Sequence, residues 1–176
     1  LIICFSGGEA FLHKEFDKLL YRARENDLVI KINTNATHIS DYYIEVLKEV
    51  QPEQVQVSLY SMTPEVHDKI TKVRGSHRRT MDGINRLMEA NICISISCPV
   101  MKGNKHCYKD VVRWGEQQGV RVKTDFMLFA CTDFDQTNLS YRLSIEDVEE
   151  LIQDALKYDS RYRAEVENEE NVFNPL

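Results

Sequence analysis

The stretch Gln54-Val55-Gln56-Val57-Ser58-Leu59-Tyr60 alternates polar and apolar side chains along its whole length. Successive side chains of a β-strand point to opposite faces, so this pattern predicts a strand with one polar and one apolar face. The same alternation occurs at 31–35 and at 92–97. A parallel sheet covered by helices on both faces is apolar throughout. The polar face therefore favours a sheet that lines a cavity, as in an open barrel, over a doubly wound sheet.

Outward from this strand, strand-like and helix-like segments alternate along the chain. The predicted strands lie at 1–5, 28–32, 55–59, 92–100 and 120–130. Apolar stripes with helical spacing lie at 16–23, 43–50, 81–88, 108–115 and 148–155. Ser40 and Ser144 are placed to cap two of these helices, and Pro64 opens a further short one.

Five successive strand–helix units predict a parallel α/β sheet with right-handed crossovers. A closed barrel needs eight such units, so five indicate either an incomplete barrel or a doubly wound sheet. We expect the barrel core to span 1–158. The charged segment 159–176 is expected to be a linker toward a further C-terminal domain.

The composition of the 176-residue chain is that of an ordinary globular domain, with 43% hydrophobic and 28% charged residues. The net charge of −6 argues against broad nucleic-acid binding, and no apolar run suggests a membrane span. The cysteines form no CxxC pair, and we expect them to be buried small hydrophobes in a reducing, cytoplasmic compartment, without metal ligands in this chain. They are Cys4, Cys93, Cys98, Cys107 and Cys131. The chain opens on Leu1 inside an apolar run, so we expect it to be part of a longer protein.

Polar residues follow every predicted strand, at the edge where parallel α/β folds bind ligands. Two glycines in Ser6-Gly7-Gly8-Glu9 would let a ligand approach the main chain, and the Glu9 carboxylate could accept hydrogen bonds from an ammonium group. A plain turn into a helix is the alternative for this tetrapeptide. The other strand ends carry Asn33-Thr34-Asn35, Ser58-Leu59-Tyr60-Ser61, Lys102-Gly103-Asn104, and Lys123 with Asp125.

A basic patch lies between the third and fourth predicted strands, where Arg74 is flanked by Lys72, Arg78 and Arg79. It could bind a carboxylate or a phosphate, or it could be a solvated loop. His67 has no partner at metal-ligand spacing, so we expect it at the surface or in a helix cap.

Taken in order, four segments resemble the middle of a radical S-adenosylmethionine enzyme. They are CFSGGEAFLHKEF at 4–16, KINTNATHI at 31–39, QVSLYSMTPEVHDKITKVRGSHRRTMDGINRLMEANI at 56–92, and SCPVMKGN at 97–104. The resemblance covers roughly 2–152 and is greatest to the SPASM group, whose members carry a cysteine-rich C-terminal domain and often modify ribosomally made peptides. It implies a partial (β/α)6 TIM-like barrel with about five strand–helix units in this chain.

The resemblance also implies two cofactors, S-adenosylmethionine and a 4Fe–4S cluster held by a CxxxCxxC loop outside this sequence. Reductive cleavage of S-adenosylmethionine would give a 5′-deoxyadenosyl radical that abstracts hydrogen from a peptide or protein substrate. A reducing partner such as flavodoxin or ferredoxin would supply the electron. A chain without the cluster loop is expected to be inactive alone. Its exposed barrel edge could pair with another chain.

Carried over residue by residue, the resemblance implies that Gly7, Gly8 and Glu9 hold the methionine amino group, although Ala10 replaces a common proline. Ser58 would meet the ribose, and Arg74 the cofactor carboxylate. The remaining assignments are looser. Tyr60 stands where many relatives have aspartate, and Asn35 and Asn104 would line the cavity or shape loops. Residues 126–129 would lie near the adenine. The residues expected to face substrate are Lys102, Asp125 and Arg142.

Two other functions fit the residues. A degenerate barrel could bind a peptide or small molecule without chemistry. A conventional barrel enzyme could use Glu9 or Asp125 as a general base.

Overall fold

The computed structural model describes residues 1–128, 136–158 and 163–164. Five strands form one parallel sheet whose spatial order is the order of the chain. The order of a doubly wound sheet reverses at its midpoint, whereas the order found here is that of consecutive barrel units. The predicted α/β, partial TIM-like barrel fold is confirmed. The strands are β1 (Ile2–Phe5), β2 (Val29–Thr34), β3 (Gln54–Ser58), β4 (Ile94–Pro99) and β5 (Arg121–Asp125).

A helix follows each strand of the sheet, and two helices follow β3. They are α1 (Phe16–Glu25), α2 (Asp41–Val50), α3 (Pro64–Thr71), α4 (Ser76–Glu89), α5 (Tyr108–Gln118) and α6 (Ile145–Tyr158). Short 3-10 helices span Ala10–Leu12 and Thr137–Tyr141. None of the helices in the described part is long and apolar enough to cross a membrane. The chain divides into two compact units, Leu1–Met127 and Leu128–Leu176. The predicted domain boundary after 158 stays a prediction.

The predicted helix caps are confirmed by hydrogen bonds. The Ser40 side chain accepts from the Tyr43 N–H at 3.3 Å, and the Ser144 hydroxyl accepts from the Asp147 N–H at 3.1 Å. Each bond satisfies an N–H group that the first helical turn would leave unpaired.

The apolar face of the sheet is the face that the helices cover. Val55, Val57 and Leu59 are completely buried. A Cβ placed on Gly115 of α5 would lie 2.3 Å from Val122 Cγ2, so α5 lies directly against the outer face of β5. The alternating residues Gln56, Ser58 and Tyr60 therefore lie on the opposite, inner face.

The fifth strand ends earlier than predicted. The Asp125 side chain accepts the Met127 N–H at 2.8 Å, a local turn that competes with further extension of the strand. Phe126 is buried, with its ring 6.2 Å from that of Tyr108. The rest of the predicted strand, from Phe129 on, lies outside the described residues.

The prediction that the cysteines are buried is wrong for Cys4 and Cys93, which are exposed. Cys4 is in register with Lys31, and Cys93 precedes β4 in phase with Ser95, so both belong to the polar face of the sheet. Cys98 is buried, Cys107 is half-buried, and Cys131 lies outside the described residues.

Candidate functional site

The inner face of the sheet opens into a cavity of about 580 Å³ at the carboxyl ends of β1, β2 and β3. Residues of β2, β3 and the loops just after them line one side of it: Asn33, Asn35, Gln56, Ser58 and Tyr60. The cavity predicted from the alternation of polar and apolar residues is present. Helices α3 and α4 supply the other side, with His67, Thr71, Ser76, Arg79 and Thr80.

The glycine loop after β1 presents bare backbone to this cavity. Gly7 has φ +143°, a conformation that favours glycine, and both Gly7 and Gly8 line the cavity. A Cβ added to either residue would meet no heavy atom within 4 Å. The space beside these two peptides is therefore open to a ligand.

Glu9 joins the ends of the first two strands. Its Oε1 accepts from the Thr34 hydroxyl at 2.6 Å and from the Phe11 N–H at 3.2 Å, and its Oε2 accepts from the Asn35 N–H at 2.8 Å. An ionised carboxylate offers about four acceptor positions, so roughly one remains for a ligand. Its role as a general base is disfavoured, because internal donors already occupy most of the carboxylate.

Asn35 is fixed in the loop that follows β2. Its Oδ1 accepts from the N–H and the hydroxyl of Thr37, at 2.9 and 2.6 Å. Its carbonyl accepts from the Thr80 hydroxyl of α4 at 2.9 Å. These bonds hold one side of the cavity to the other.

His67 lies inside the protein, so the expectation of a surface position was wrong. The residue is 1% exposed, and its Nδ1 accepts the Tyr60 N–H at 3.3 Å. Burial lowers the pKa of His67 to about 4, with a smaller lowering from nearby His77. A sequence signal for this position is Ile70. Residues three apart share a face of a helix, so the apolar Ile70 indicates that His67 also lies on the inward face of this short helix.

Tyr60 and Ser58 lie together at the end of β3. Burial raises the pKa of Tyr60, partly offset by a hydrogen bond with the Ser58 side chain. Both side chains remain neutral hydrogen-bonding groups at physiological pH, suited to a polar ligand.

Asn104 shapes the loop after β4 and does not line the cavity. It is completely buried, and its Nδ2 donates to the carbonyls of Tyr60 at 2.8 Å and Pro99 at 3.0 Å. Its Oδ1 accepts the Met101 N–H at 2.8 Å. Because both amide hydrogens serve the backbone, the geometry favours the loop-shaping alternative.

Among the arginines of the basic patch, Arg79 lines the cavity, whereas Arg74 is exposed outside it. The fold of the α3–α4 turn explains the difference. Lys72 and Gly75 both have positive φ, and the Asp68 carboxylate accepts from the N–H groups of Gly75 and His77. These backbone bonds lower the pKa of Asp68 to about 2.

Two of the candidates for substrate contact, Lys102 and Asp125, are not among the residues that line the cavity. Lys102 is exposed in the loop after β4, and the Asp125 carboxylate is used in the turn to Met127. Arg142 belongs to the second unit, where its Nε donates to the Leu128 carbonyl at 2.6 Å.

No set of three or more His, Cys, Asp and Glu side chains in the described ranges is arranged to hold a metal ion. We therefore assign no described residue to a cluster.

The chain is a partial barrel, and a polar cavity lies at its strand ends beside a loop with two glycines. These features are those of a ligand-binding α/β barrel. The model of the Radical SAM superfamily matches residues 1–115, more than half of the sequence. The chain belongs to the radical SAM superfamily.

Curated relatives of the chain act on different substrates. It is 26% identical over 127 residues to the AdoMet-dependent heme synthase of Nitratidesulfovibrio vulgaris, covering 72% of this chain and 35% of that protein. It is 29% identical over 110 residues to the sporulation killing factor maturation protein SkfB of Bacillus subtilis, covering 62% and 27%. The chain thus spans about a third of the length of these relatives.

A solved structure with the same fold is Streptococcus suis SuiB bound to S-adenosylmethionine. It has a TM-score of 0.70 and 16% identity, over 90% of this chain and 37% of SuiB. SuiB has also been solved with its precursor peptide SuiA, with a TM-score of 0.65 and 16% identity, over 89% and 35% of the two chains.

Proposed function

We propose that the cavity between the glycine loop and α4 binds S-adenosylmethionine in a radical enzyme. The observation that carries this proposal is the convergence of Gly7, Gly8, Ser58 and Arg79 on one cavity. The open space beside the glycines fits close approach of a ligand to the backbone. No aspartate or glutamate is among the described residues that line the cavity, whereas Arg79 is, which favours an anionic group near that arginine.

Each part of the cofactor has a group of matching chemistry in this proposal. The backbone carbonyls of Gly7 and Gly8, which line the cavity, accept from the methionine ammonium. Glu9 is not a lining residue itself, but it follows these glycines, and its remaining acceptor position adds a negative charge beside the ammonium. Ser58 bonds the ribose, and Asn35 and Tyr60 complete the polar side. Arg79 takes the carboxylate in place of Arg74, because Arg79 is the arginine that reaches the cavity.

When bound, S-adenosylmethionine and a 4Fe–4S cluster supply one-electron chemistry that yields a 5′-deoxyadenosyl radical. The residues of this chain orient the cofactor and limit water around it, and the half-buried Tyr60 and the buried His67 contribute to that environment. The cluster ligands, an electron donor such as flavodoxin or ferredoxin, and a cytoplasmic location are parts of the same proposal.

The proposed substrate is a ribosomally made peptide, modified by a SPASM-type enzyme. Support comes from SkfB, a maturation protein, and from SuiB, which binds a precursor peptide. The similarity to heme synthases makes a tetrapyrrole the alternative substrate class.

The proposal is tested with the protein at its full length, reconstituted anaerobically with iron and sulfide. Incubation with S-adenosylmethionine and a reductant should give 5′-deoxyadenosine, which is measured by chromatography. Absence of this product with an intact cluster would contradict the proposal and favour a binding module. A turnover screen with precursor peptides and with iron tetrapyrroles then separates the two substrate classes.

Two arginine variants sharpen the test. Arg79→Ala should weaken S-adenosylmethionine binding by about tenfold or more, the effect of losing a charge-assisted hydrogen bond. Arg74→Ala is the matched control, since Arg74 is exposed outside the cavity, and its dissociation constant should stay within about twofold of wild type. If Arg74→Ala weakens S-adenosylmethionine binding more than Arg79→Ala does, Arg74 is the residue that binds the cofactor carboxylate, as predicted from the sequence.

A further inference from the structure

His67 is a polar side chain that is almost completely buried and yet lines the cavity. Its Nδ1 accepts the Tyr60 N–H at 3.3 Å. A neutral imidazole has one donor and one acceptor nitrogen, so this bond assigns the proton to Nε2. No hydrogen bond to Nε2 is found among residues 1–128, 136–158 and 163–164, and Nε2 is not one of the fully buried unpartnered atoms there, so it keeps some access from the cavity. A donor is therefore fixed beside the cavity without a protein acceptor.

The surroundings of His67 keep this donor uncharged. The His77 ring lies 5.5 Å away and nearly perpendicular, and its own Nε2 is buried without a partner in the described part of the chain. Asp68, the neighbouring acid, is committed to the α3–α4 turn through Ser76 and His77. Burial and His77 both lower the pKa of His67, so the neutral form dominates at physiological pH.

We propose that His67 is a binding residue of the cavity, and that its Nε2–H donates to an oxygen acceptor of the bound cofactor. This inference rests on the proposed function, since the cofactor is S-adenosylmethionine. The ribose hydroxyls and the methionine carboxylate both offer such an oxygen. The Tyr60 contact positions the imidazole, and Arg79 lies on the same helical side of the cavity.

The experiment follows the histidine nitrogens directly. Full-length protein carrying ¹⁵N-histidine is examined by long-range ¹H–¹⁵N correlation NMR before and after S-adenosylmethionine, with His67 assigned from the His67→Asn spectrum. We expect the neutral Nε2–H tautomer at pH 7 and a shift of Nε2 and its proton on binding. The exposed His13 is the internal control and should not shift. Methionine alone and 5′-deoxyadenosine alone tell whether the acceptor is the carboxylate or the ribose.

Two variants separate the donor from the positioning contact. In His67→Asn, the amide oxygen keeps an acceptor near the Nδ1 position, but the donor at the Nε2 position is lost. In His67→Gln, the longer side chain places an amide donor near the Nε2 position. Loss of a neutral hydrogen bond should weaken binding about fivefold in His67→Asn, with tighter binding in His67→Gln than in His67→Asn. A purely structural role through Tyr60 predicts the reverse order.

The outcomes distinguish this inference from the function on which it rests. If wild-type protein binds S-adenosylmethionine while Nε2 does not shift and His67→Asn binds equally well, the inference is overturned. If the wild-type protein does not bind S-adenosylmethionine at all, the proposed function fails and the inference fails with it.

Discussion

At the scale of single residues, Glu9 combines ligand and structural chemistry. The sequence indicates a carboxylate next to two glycines, which is a local feature and can be predicted. Its bonds to Thr34 and Asn35 join segments 25 residues apart and depend on the pairing of β1 with β2. The structure therefore adds a role in stability that the local sequence does not indicate.

The substitution Glu9→Gln tests this double role. Glutamine would turn an amide donor toward either the Asn35 N–H or Thr34, whose oxygen already accepts the Ala36 N–H. We expect a loss of about 1–3 kcal/mol in the free energy of unfolding, measured by urea denaturation, together with weaker S-adenosylmethionine binding.

The control for Glu9→Gln is Glu15→Gln. Glu15 is exposed, and within the described residues its side chain pairs with Lys18. Exposed pairs contribute about 0–1 kcal/mol, so this variant should unfold close to wild type. Equal stability of wild type and Glu9→Gln would show that the three bonds to Glu9 contribute nothing.

The sequence pointed to Arg74 as the arginine of the cavity, whereas Arg79 is the one that lines it. This difference marks a limit of what the sequence can predict. The basic patch is visible in the sequence, but the arginine that reaches the cavity depends on two left-handed residues and on Asp68. A one-residue change in the length of that turn would rotate α4 by about 100° relative to the cavity. The burial of His67 likewise depends on tertiary packing, so the local sequence wrongly predicted a surface position for it.

At the scale of elements, the contact between α4 and the loop after β2 sets the width of the cavity. A Cβ on Gly83 would lie 2.0 Å from the Ala36 carbonyl oxygen. Ala36 itself has φ +57°, and Thr80, one turn earlier on α4, bonds the Asn35 carbonyl. The apolar stripe predicted α4, but periodicity does not tell which of its residues touches the loop after β2, because three elements of the chain lie between them.

The substitution Gly83→Ala should therefore move α4 away from the loop. We expect a loss of about 1–3 kcal/mol in unfolding free energy, the usual result of overpacking, and weaker cofactor binding because Arg79 and Thr80 move with the helix. Asn85→Ala, on the exposed side of α4, introduces the same residue without this contact. Wild-type stability and affinity in both variants would show that the contact of Gly83 with Ala36 does not set the position of α4.

At the scale of the whole molecule, the five strand–helix units were predictable because each unit has its own periodic pattern. The two faces of the sheet were predictable for the same reason. The barrel order of the strands was favoured over the doubly wound order only by the polar face of the sheet. The strand at the edge, β1, leaves Leu1 95% and Ile2 60% exposed, and it pairs only with β2 among the described strands. Pairing of this edge with another chain or segment stays a proposal.

The most direct measurement is an anaerobic crystal structure of the reconstituted full-length protein with S-adenosylmethionine. We expect density for the methionine group against Gly7 and Gly8, for the ribose near Ser58, and for the carboxylate within hydrogen-bond distance of Arg79. Density for the cofactor at another surface, with this cavity filled only by water, would contradict the account.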